Sequence, residues 1–168
     1  MKQIDVAEIR LNVFDEGSGP PLVFVHGFPL SHAMWLPQLQ AFRTTHRVVA
    51  PDLRGFGGST VVPGESTMRC LADDVAGLLD ALGITEPVVL CGLSMGGYVA
   101  WQFVKHHAAR LKALVVCDTK AVADAPEAAE TRRKMAEHVL TFGTGAVAEP
   151  MPAKLFTAAT LTEQPQIV

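Results

Sequence analysis

Four short, continuous apolar runs, separated by segments with helical periodicity, constrain the fold of this chain most strongly. The runs are PLVFVHG, RVVAPD, PVVLCG and LKALVVCDT, at residues 21–27, 47–52, 87–92 and 111–119. Continuous apolar runs of this length are typical of strands buried on both faces of a sheet. Between two of them, apolar residues recur at helical spacing from Met68 to Leu82. Buried strands that alternate with helices predict an α/β fold, with a mostly parallel sheet, flanking helices and right-handed crossovers.

Both ends of the chain depart from this alternation. The opening MKQIDVAEIRLNVFDEG alternates apolar and polar residues as a pair of half-buried strands does. From Asp124 onward helical patterns appear without a strand signal, and Asp124 and Glu127 have capping-box spacing at the head of the first helix. We therefore predict a core over residues 1–120 and a partial helical cap over residues 121–168.

Composition excludes several classes of protein. The net charge is -3 and the pI is about 6.0, so neither nucleic acid nor an acidic membrane surface is expected as a partner. No apolar run approaches the roughly 20 residues of a membrane span, and the first residues lack a signal-peptide pattern. The three cysteines cannot all pair and have no ligand spacing, which favours reduced core thiols in a cytoplasmic protein over disulfides or a metal site.

The sequence GLSMG, residues 92–96, follows a predicted strand and precedes a predicted helix. This is the context that the nucleophile-elbow pattern G-x-S-x-G requires. The turn lifts the hydroxyl of Ser94 above the sheet, and Gly92 and Gly96 must lack side chains where backbone and helix pack closely. The alternative is that Ser94 is only a helix N-cap, since serine is a favoured cap.

Four stretches carry a resemblance to a known family: VFVHGFPLSHAMW, APDLRGFGGS, LCGLSMGGYVA and VVCDTKAVAD. In sequence and in order they resemble the α/β-hydrolase family, in particular its branch of small esterases, enol-lactonases and cofactor-free haloperoxidase-like enzymes. The resemblance implies hydrolysis of carboxylic esters or lactones through a Ser94 acyl-enzyme, with small-molecule substrates and no cofactor.

The same resemblance implies an oxyanion hole formed by the backbone N–H groups of Phe28 and Met95, with His26 and Gly27 supporting the loop. Backbone donors at the head of a helix suit a developing oxyanion, because the helix dipole adds to them. Phe28, Trp35 and Met95 either line an apolar acyl pocket or belong to the core.

Members of the family continue beyond a helical cap into two more strands, and the loops after those strands usually carry the catalytic acid and the histidine. The resemblance therefore makes this chain the N-terminal half of the family pattern, without the usual base. As substitutes, His26 and His32 lie near the oxyanion loop, and His138 lies on the cap helix of this chain or of a partner. Three other histidines are excluded by their distance from Ser94, which is roughly 18 Å for those at the far end of its helix: His46, His106 and His107.

Among the carboxylates, Asp118 ends the fourth buried strand. The resemblance makes it a candidate for the catalytic acid, because some branches of the family place their acid after that strand. Its alternative role is to cap the following turn. Asp52 and Arg54, in PDLRG, are expected to hold their loop together, and Asp73 and Asp74 to face solvent or a neighbouring loop.

Without further strands, LKALVVCD would form an outer edge of the sheet with unpaired backbone groups, which proteins normally cover. We therefore expect at least a homodimer, in which a partner pairs with this edge or exchanges cap helices. Two functions remain in view: a half-length serine hydrolase completed by dimerisation, and a non-catalytic module that needs a complementary half or acts as an interaction domain.

Overall fold

A computed structural model describes residues 1–167 of the protein, and these contain one six-stranded sheet. Its strands are β1 (Lys2–Val6), β2 (Ile9–Glu16), β3 (Pro21–Val25), β4 (Arg47–Pro51), β5 (Val88–Leu93) and β6 (Leu111–Cys117). Their spatial order is β1-β2-β4-β3-β5-β6. Strand β2 pairs antiparallel with both β1 and β4, whereas β4, β3, β5 and β6 are parallel to one another. The prediction of a mostly parallel α/β sheet is confirmed.

The helices are α1 (Leu36–Phe42), α2 (Met68–Ala81), α3 (Met95–His107), α4 (Pro126–Phe142), α5 (Gly145–Ala148), α6 (Met151–Leu155) and α7 (Ala158–Glu163), with 3-10 turns at His32–Trp35, Ala108–Arg110 and Pro165–Ile167. Helix α2 begins where the side chain of Thr67 accepts a hydrogen bond from the Cys70 N–H. Its buried residues recur on one face, as the helical spacing predicts.

The start of α4 corrects one prediction. The residue before the helix is Ala125, which makes no side-chain cap, and Pro126 occupies the first turn. The carboxylate of Asp124 instead accepts a hydrogen bond from Arg132. The capping box between Asp124 and Glu127 is therefore wrong, because a proline with a fixed φ and no N–H already starts the helix.

Two apolar clusters cover the two faces of the sheet. One contains Leu71 of α2 and Phe103 of α3, packed with Leu90 and other sheet residues. The other contains Trp35 and Leu39, packed with further strand residues. Since β3 to β6 are parallel, the loops that follow them emerge at one edge of the sheet, where α/β proteins place their ligands.

Strand β6 is an outer strand of the sheet, and it is poorly covered. Successive side chains of a strand point to opposite faces. Val115 is 45% exposed and Val116 is 41% exposed, so both faces of β6 present apolar surface.

The chain divides into two compact units, Met1–Ala121 and Val122–Val168. Within the described part of the second unit, Val147 is the one buried residue, and α4 buries none of its side chains. In residues 1–167 there is no helix with both the length and the apolar character needed to cross a membrane.

Candidate active site

Ser94 lies in the turn between β5 and α3, with φ of 51° and ψ of -108°. A side chain in this region costs on the order of 1–3 kcal/mol, and such residues cluster at active sites. Although Ser94 occupies the N-cap position of α3, its side chain makes no cap hydrogen bond. The alternative of a capping serine is therefore wrong, and the hydroxyl is available for chemistry.

The glycines on either side of Ser94 make this turn possible. A Cβ on Gly92 would overlap the Gly96 carbonyl, and a Cβ on Gly96 would overlap the Val25 carbonyl. Both obstacles are backbone atoms of packed elements, so neither can move aside at low cost. The elbow therefore requires glycine at both positions, as the G-x-S-x-G pattern predicts.

The loop after β3 lies directly against the elbow. A Cβ on Gly27 would be 3.6 Å from the Ser94 Cβ and 2.9 Å from the Leu93 Cδ2. Within residues 1–167, the structure shows no acceptor for the backbone N–H groups of Phe28 and Met95. Met95 follows Ser94, and Phe28 follows Gly27, so two unpaired donors adjoin the nucleophile position. Unpaired backbone donors beside a nucleophile are a requirement for an oxyanion hole, and the assignment of Phe28 and Met95 to one stays a prediction.

His26 supports this loop from the core. It is fully buried, and its Nε2 accepts a hydrogen bond of 3.0 Å from the Leu53 N–H. Nδ1 must then carry the proton, and it donates to the Gly27 carbonyl at 3.0 Å. Burial lowers the pKa of His26, against the raising effect of that Gly27 bond. With both ring nitrogens engaged and a neutral ring, His26 is structural and is not placed to act as a base.

Asp52 joins three segments of the first unit: β2, the loop after β4 and the segment after β3. Its carboxylate accepts hydrogen bonds from the Asn12 side chain at 2.8 Å, the Gly58 N–H at 2.9 Å and the His32 N–H at 2.8 Å. Nδ1 of His32 also lies 2.7 Å from this carboxylate. Burial would raise the pKa of Asp52, but these hydrogen bonds outweigh it and lower the pKa. Asp52 holds its loop as predicted, and it occupies one ring nitrogen of His32.

The neighbouring acidic pair faces other elements. Asp74 is buried and receives two hydrogen bonds from the Arg54 guanidinium in the loop after β4. Asp73 is half exposed and pairs with Nε2 of His107 at 2.7 Å. These positions agree with the expectation that both carboxylates face solvent or a neighbouring loop.

The end of β6 and the residues after it contact the elbow through the Cys117 backbone and the Thr119 side chain. The Cys117 carbonyl accepts from the Ser94 N–H at 2.9 Å, and the Thr119 hydroxyl donates to the Ser94 carbonyl at 2.9 Å. Asp118, between them, has φ of 41° and an exposed side chain that makes no hydrogen bond within residues 1–167. Sequence reasoning singled out Asp118 and missed Thr119, whose only sequence signal is its position directly after a strand.

The candidate base remains a prediction. Within the first unit, residues 1–121, no histidine makes a hydrogen bond with Ser94. His138 lies on α4 in the second unit, with its ring centroid 4.6 Å from that of Phe142.

Of the three residues considered for an acyl pocket, two belong to the core. Trp35 is 6% exposed and Met95 is 8% exposed, and each is a member of an apolar cluster. Phe28 is 41% exposed, and its ring meets that of Phe56 edge-to-face at 6.1 Å. Phe28 is therefore the member of the three that can meet a substrate.

Two of the three thiols, those of Cys91 and Cys70, are poor competitors of Ser94 as nucleophiles. Burial, together with the neighbouring Cys117 thiol, raises the pKa of Cys91 to about 12. Burial also raises the pKa of Cys70. Both thiols are therefore protonated at neutral pH, and a thiol is a poor nucleophile compared with a thiolate. Across residues 1–167, no group of three or more His, Cys, Asp or Glu side chains is arranged to hold a metal ion.

Two solved structures share this arrangement of strands and helices. A thermophilic esterase from Thermogutta terrifontis, solved with malate bound, is 46% identical in sequence, with a TM-score of 0.91 over 98% of this chain and 62% of that chain. The enol-lactonase from Burkholderia xenovorans LB400 is 30% identical, with a TM-score of 0.88 over 99% of this chain and 64% of that chain.

A curated relative gives a third comparison. Epoxide hydrolase 2 of Siraitia grosvenorii is 42% identical over 110 residues, which are 64% of this chain and 34% of that protein. This chain thus spans about a third of that relative and less than two thirds of both solved structures. Residues 20–160 match the profile of the family described as alpha/beta hydrolase fold. Since that profile matches most of its length, the chain belongs to the alpha/beta hydrolase fold family.

Proposed function

We propose that the protein carries the nucleophile half of a serine hydrolase, which cleaves small carboxylic esters or lactones through a Ser94 acyl-enzyme. The observation that carries the proposal is the conformation of Ser94. Its backbone is held in a region that disfavours side chains, and its hydroxyl is not used as a cap. A strained serine with a free hydroxyl, at the carboxyl edge of a parallel sheet, is the geometry of a nucleophile elbow.

The chemistry follows from the groups around the hydroxyl. The Ser94 oxygen attacks the carbonyl carbon of the substrate, and its proton passes to a base. The carbonyl oxygen becomes an oxyanion that the N–H groups of Phe28 and Met95 are available to bind. Collapse of this intermediate breaks the carbon–oxygen bond to the leaving alcohol, or opens the lactone ring. Water then cleaves the acyl-enzyme ester and restores the serine.

The residue at the elbow favours acyl substrates over epoxides. Attack by a serine hydroxyl on a carbonyl gives an ester, which water can hydrolyse. Attack by the same hydroxyl on an epoxide carbon would give an ether, which has no carbonyl for water to attack. The esterase and the enol-lactonase are therefore closer guides to the substrate class than the epoxide hydrolase is.

Hydrolysis of p-nitrophenyl acetate tests the proposal, with Ser94→Ala as the decisive variant and Ser66→Ala as the matched control on an exposed loop. We expect turnover that disappears in Ser94→Ala and persists in Ser66→Ala. Even without a complete triad, an elbow and an oxyanion hole retain roughly 10³ to 10⁴-fold acceleration over water. Equal rates for the protein and for Ser94→Ala would overturn the proposal.

The proposed reaction also needs a general base that takes the proton of Ser94. Asp118 is the candidate acid and His138 is the candidate histidine. A second candidate function rests on this point: the chain acts as a non-catalytic module whose site is completed by another polypeptide. The absence of a histidine hydrogen-bonded to Ser94 within residues 1–121 favours it. Specific activity that rises with protein concentration would favour completion of the site by a second copy. Equal hydrolysis rates for the protein and for Ser94→Ala would favour the non-catalytic module.

We also propose that a second copy of the chain covers β6. The strand is an outer strand with exposed valines on both faces, and pairing would satisfy its free backbone groups. All three cysteines are unpaired, which agrees with a reducing compartment, and the cytoplasm is the location we propose.

A further inference from the structure

We propose that Thr119 is a positioning residue, whose hydroxyl holds the backbone of Ser94 in its reactive conformation. The inference rests on the proposed function for its catalytic meaning, although its structural part can be measured independently. Thr119 lies outside the elbow in sequence, 25 positions after Ser94, and comes to it only through the pairing of β5 with β6.

Residues 117–119 hold the backbone of Ser94 on both sides of its Cα. Its N–H donates to the Cys117 carbonyl at 2.9 Å, and its carbonyl accepts from the Thr119 hydroxyl at 2.9 Å. The N–H and the carbonyl of Ser94 belong to two different peptide groups, so a change of φ from 51° would have to turn at least one of them away from its partner. The two hydrogen bonds therefore oppose relaxation of the turn, and they do so from a different strand.

The helix also acts on the same carbonyl. The Ser94 carbonyl accepts hydrogen bonds from the Gly97 N–H at 3.0 Å and from the Tyr98 N–H at 3.3 Å, and these are the first hydrogen bonds of α3. Those donors fix the carbonyl relative to the helix, whereas Thr119 fixes it relative to the sheet. The hydroxyl thus adds a link between the helix end at Ser94 and the segment after β6, beside the link that the Cys117 carbonyl makes.

Two local features show that the chain makes room for this contact. A Cβ on Gly97 would overlap the Thr119 side chain, so glycine at that position lets Thr119 approach. Asp118 adopts φ of 41°, which turns the chain so that both the Cys117 carbonyl and the Thr119 hydroxyl reach Ser94. The exposed carboxylate of Asp118 has no hydrogen bond in the described residues, so its backbone is what contributes to the contact.

The test compares three variants by backbone amide hydrogen exchange and by steady-state hydrolysis of p-nitrophenyl acetate. Thr119→Val keeps the shape and removes the hydroxyl, whereas Thr119→Ser keeps the hydroxyl. Thr60→Val is the matched control. The Thr60 hydroxyl donates a hydrogen bond of 3.1 Å to the Arg10 carbonyl, and this bond does not involve the elbow.

We expect Thr119→Val to speed exchange of the Ser94 amide about tenfold, the equilibrium effect of one hydrogen bond. Turnover should fall by a similar factor with KM unchanged, because the nucleophile is misplaced while the substrate surface is intact. Thr119→Ser should restore both values, and Thr60→Val should leave both unchanged.

Unchanged exchange of the Ser94 amide in Thr119→Val would overturn the inference, and so would a Thr119→Ser variant that loses protection. The second outcome decides the question even where Thr119→Val does not fold. A protein with no Ser94-dependent turnover would instead overturn the proposed function, and the exchange result would still decide the role of Thr119.

Discussion

Glycine at the elbow is a steric requirement whose energetic cost can be measured residue by residue. A side chain at Gly96 would overlap the carbonyl of Val25 in the central strand β3. We expect Gly96→Ala to lower the free energy of unfolding by about 3 kcal/mol or more, since overpacking against backbone cannot be relieved by a rotamer change. Chemical denaturation measures this loss.

Gly145→Ala is the matched control for that experiment. Gly145 starts the short helix α5, and a Cβ there would make only ordinary contact, at 3.6 Å from the Glu149 Oε1. The control should be neutral or stabilising by up to about 1 kcal/mol, as alanine is a better helix former. Equal losses in both variants would refute the steric explanation.

Asp52 makes stability depend on pH. Its hydrogen bonds lower its pKa in the folded protein despite burial, so the ionised form stabilises the fold above the unfolded pKa of about 4. That contribution is lost as pH falls through the lower folded pKa. At neutral pH we expect Asp52→Asn to lower the free energy of unfolding by about 2–3 kcal/mol, because the charge is lost and one of the two acceptor oxygens becomes an NH₂ donor.

Urea unfolding from neutral pH to about pH 3 measures this dependence. The difference between the protein and Asp52→Asn should shrink as pH falls below about 4, because the unfolded chain takes up a proton there that folded Asp52 takes up only at lower pH. Asp5→Asn is the control, since the Asp5 side chain is 71% exposed in its pair with Arg10. A difference for Asp52→Asn that stays constant over this range would contradict the assignment.

Residues within one motif could be predicted from the sequence, whereas residues joined by the fold could not. Ser94, Gly92 and Gly96 lie within five positions, so their spacing alone carries the signal. Thr119 reaches Ser94 only because β6 pairs with β5. No local sequence pattern indicates that contact, so Thr119 could not be identified from the sequence.

At the scale of elements, the sequence predicted the four strands β3 to β6 well, because each is a continuous apolar run with a distinct end. The predicted range 47–52 compares with Arg47–Pro51 in the structure. The start of α4 was predicted less well, because a capping-box spacing and a proline gave competing signals two residues apart. Proline prevailed, since its ring fixes φ at a helical value.

The exposed edge of β6 allows a direct test of the proposed dimer. We expect the protein to be dimeric at micromolar concentration by light scattering. The double variant Val115→Lys/Val116→Lys should be monomeric, because two charges on the edge oppose strand pairing. Val61→Lys, at a 78% exposed position in the loop before α2, should stay dimeric. A monomeric parent protein would exclude this mode of association.

At the scale of the whole molecule, the two units differ in how they are stabilised. The first contains both apolar clusters, whereas Val147 is the single buried residue in the described part of the second. We expect brief trypsin treatment to cut first in α4, near Arg133 and Lys134, since a helix without buried side chains opens readily.

The fragment that persists should contain residues 1–121 and keep the circular dichroism of the sheet. Mass spectrometry of the early products identifies the first cuts. Cleavage that begins within the first unit, or loss of the sheet signal at the same rate as the first cut, would show that the stability of the two units is not separate.

The hydrogen bond from the Ser94 N–H to the Cys117 carbonyl ties the reacting serine to the last residue of an outer strand. Acylation of Ser94 and strand pairing along β6 therefore act on the two backbone groups that this hydrogen bond joins, and coupling between two such events is reciprocal. If pairing along β6 makes Ser94 easier to acylate, then acylation of Ser94 strengthens pairing along β6 by the same free energy. A bound acyl group would then act as an effector of assembly as well as a reaction intermediate.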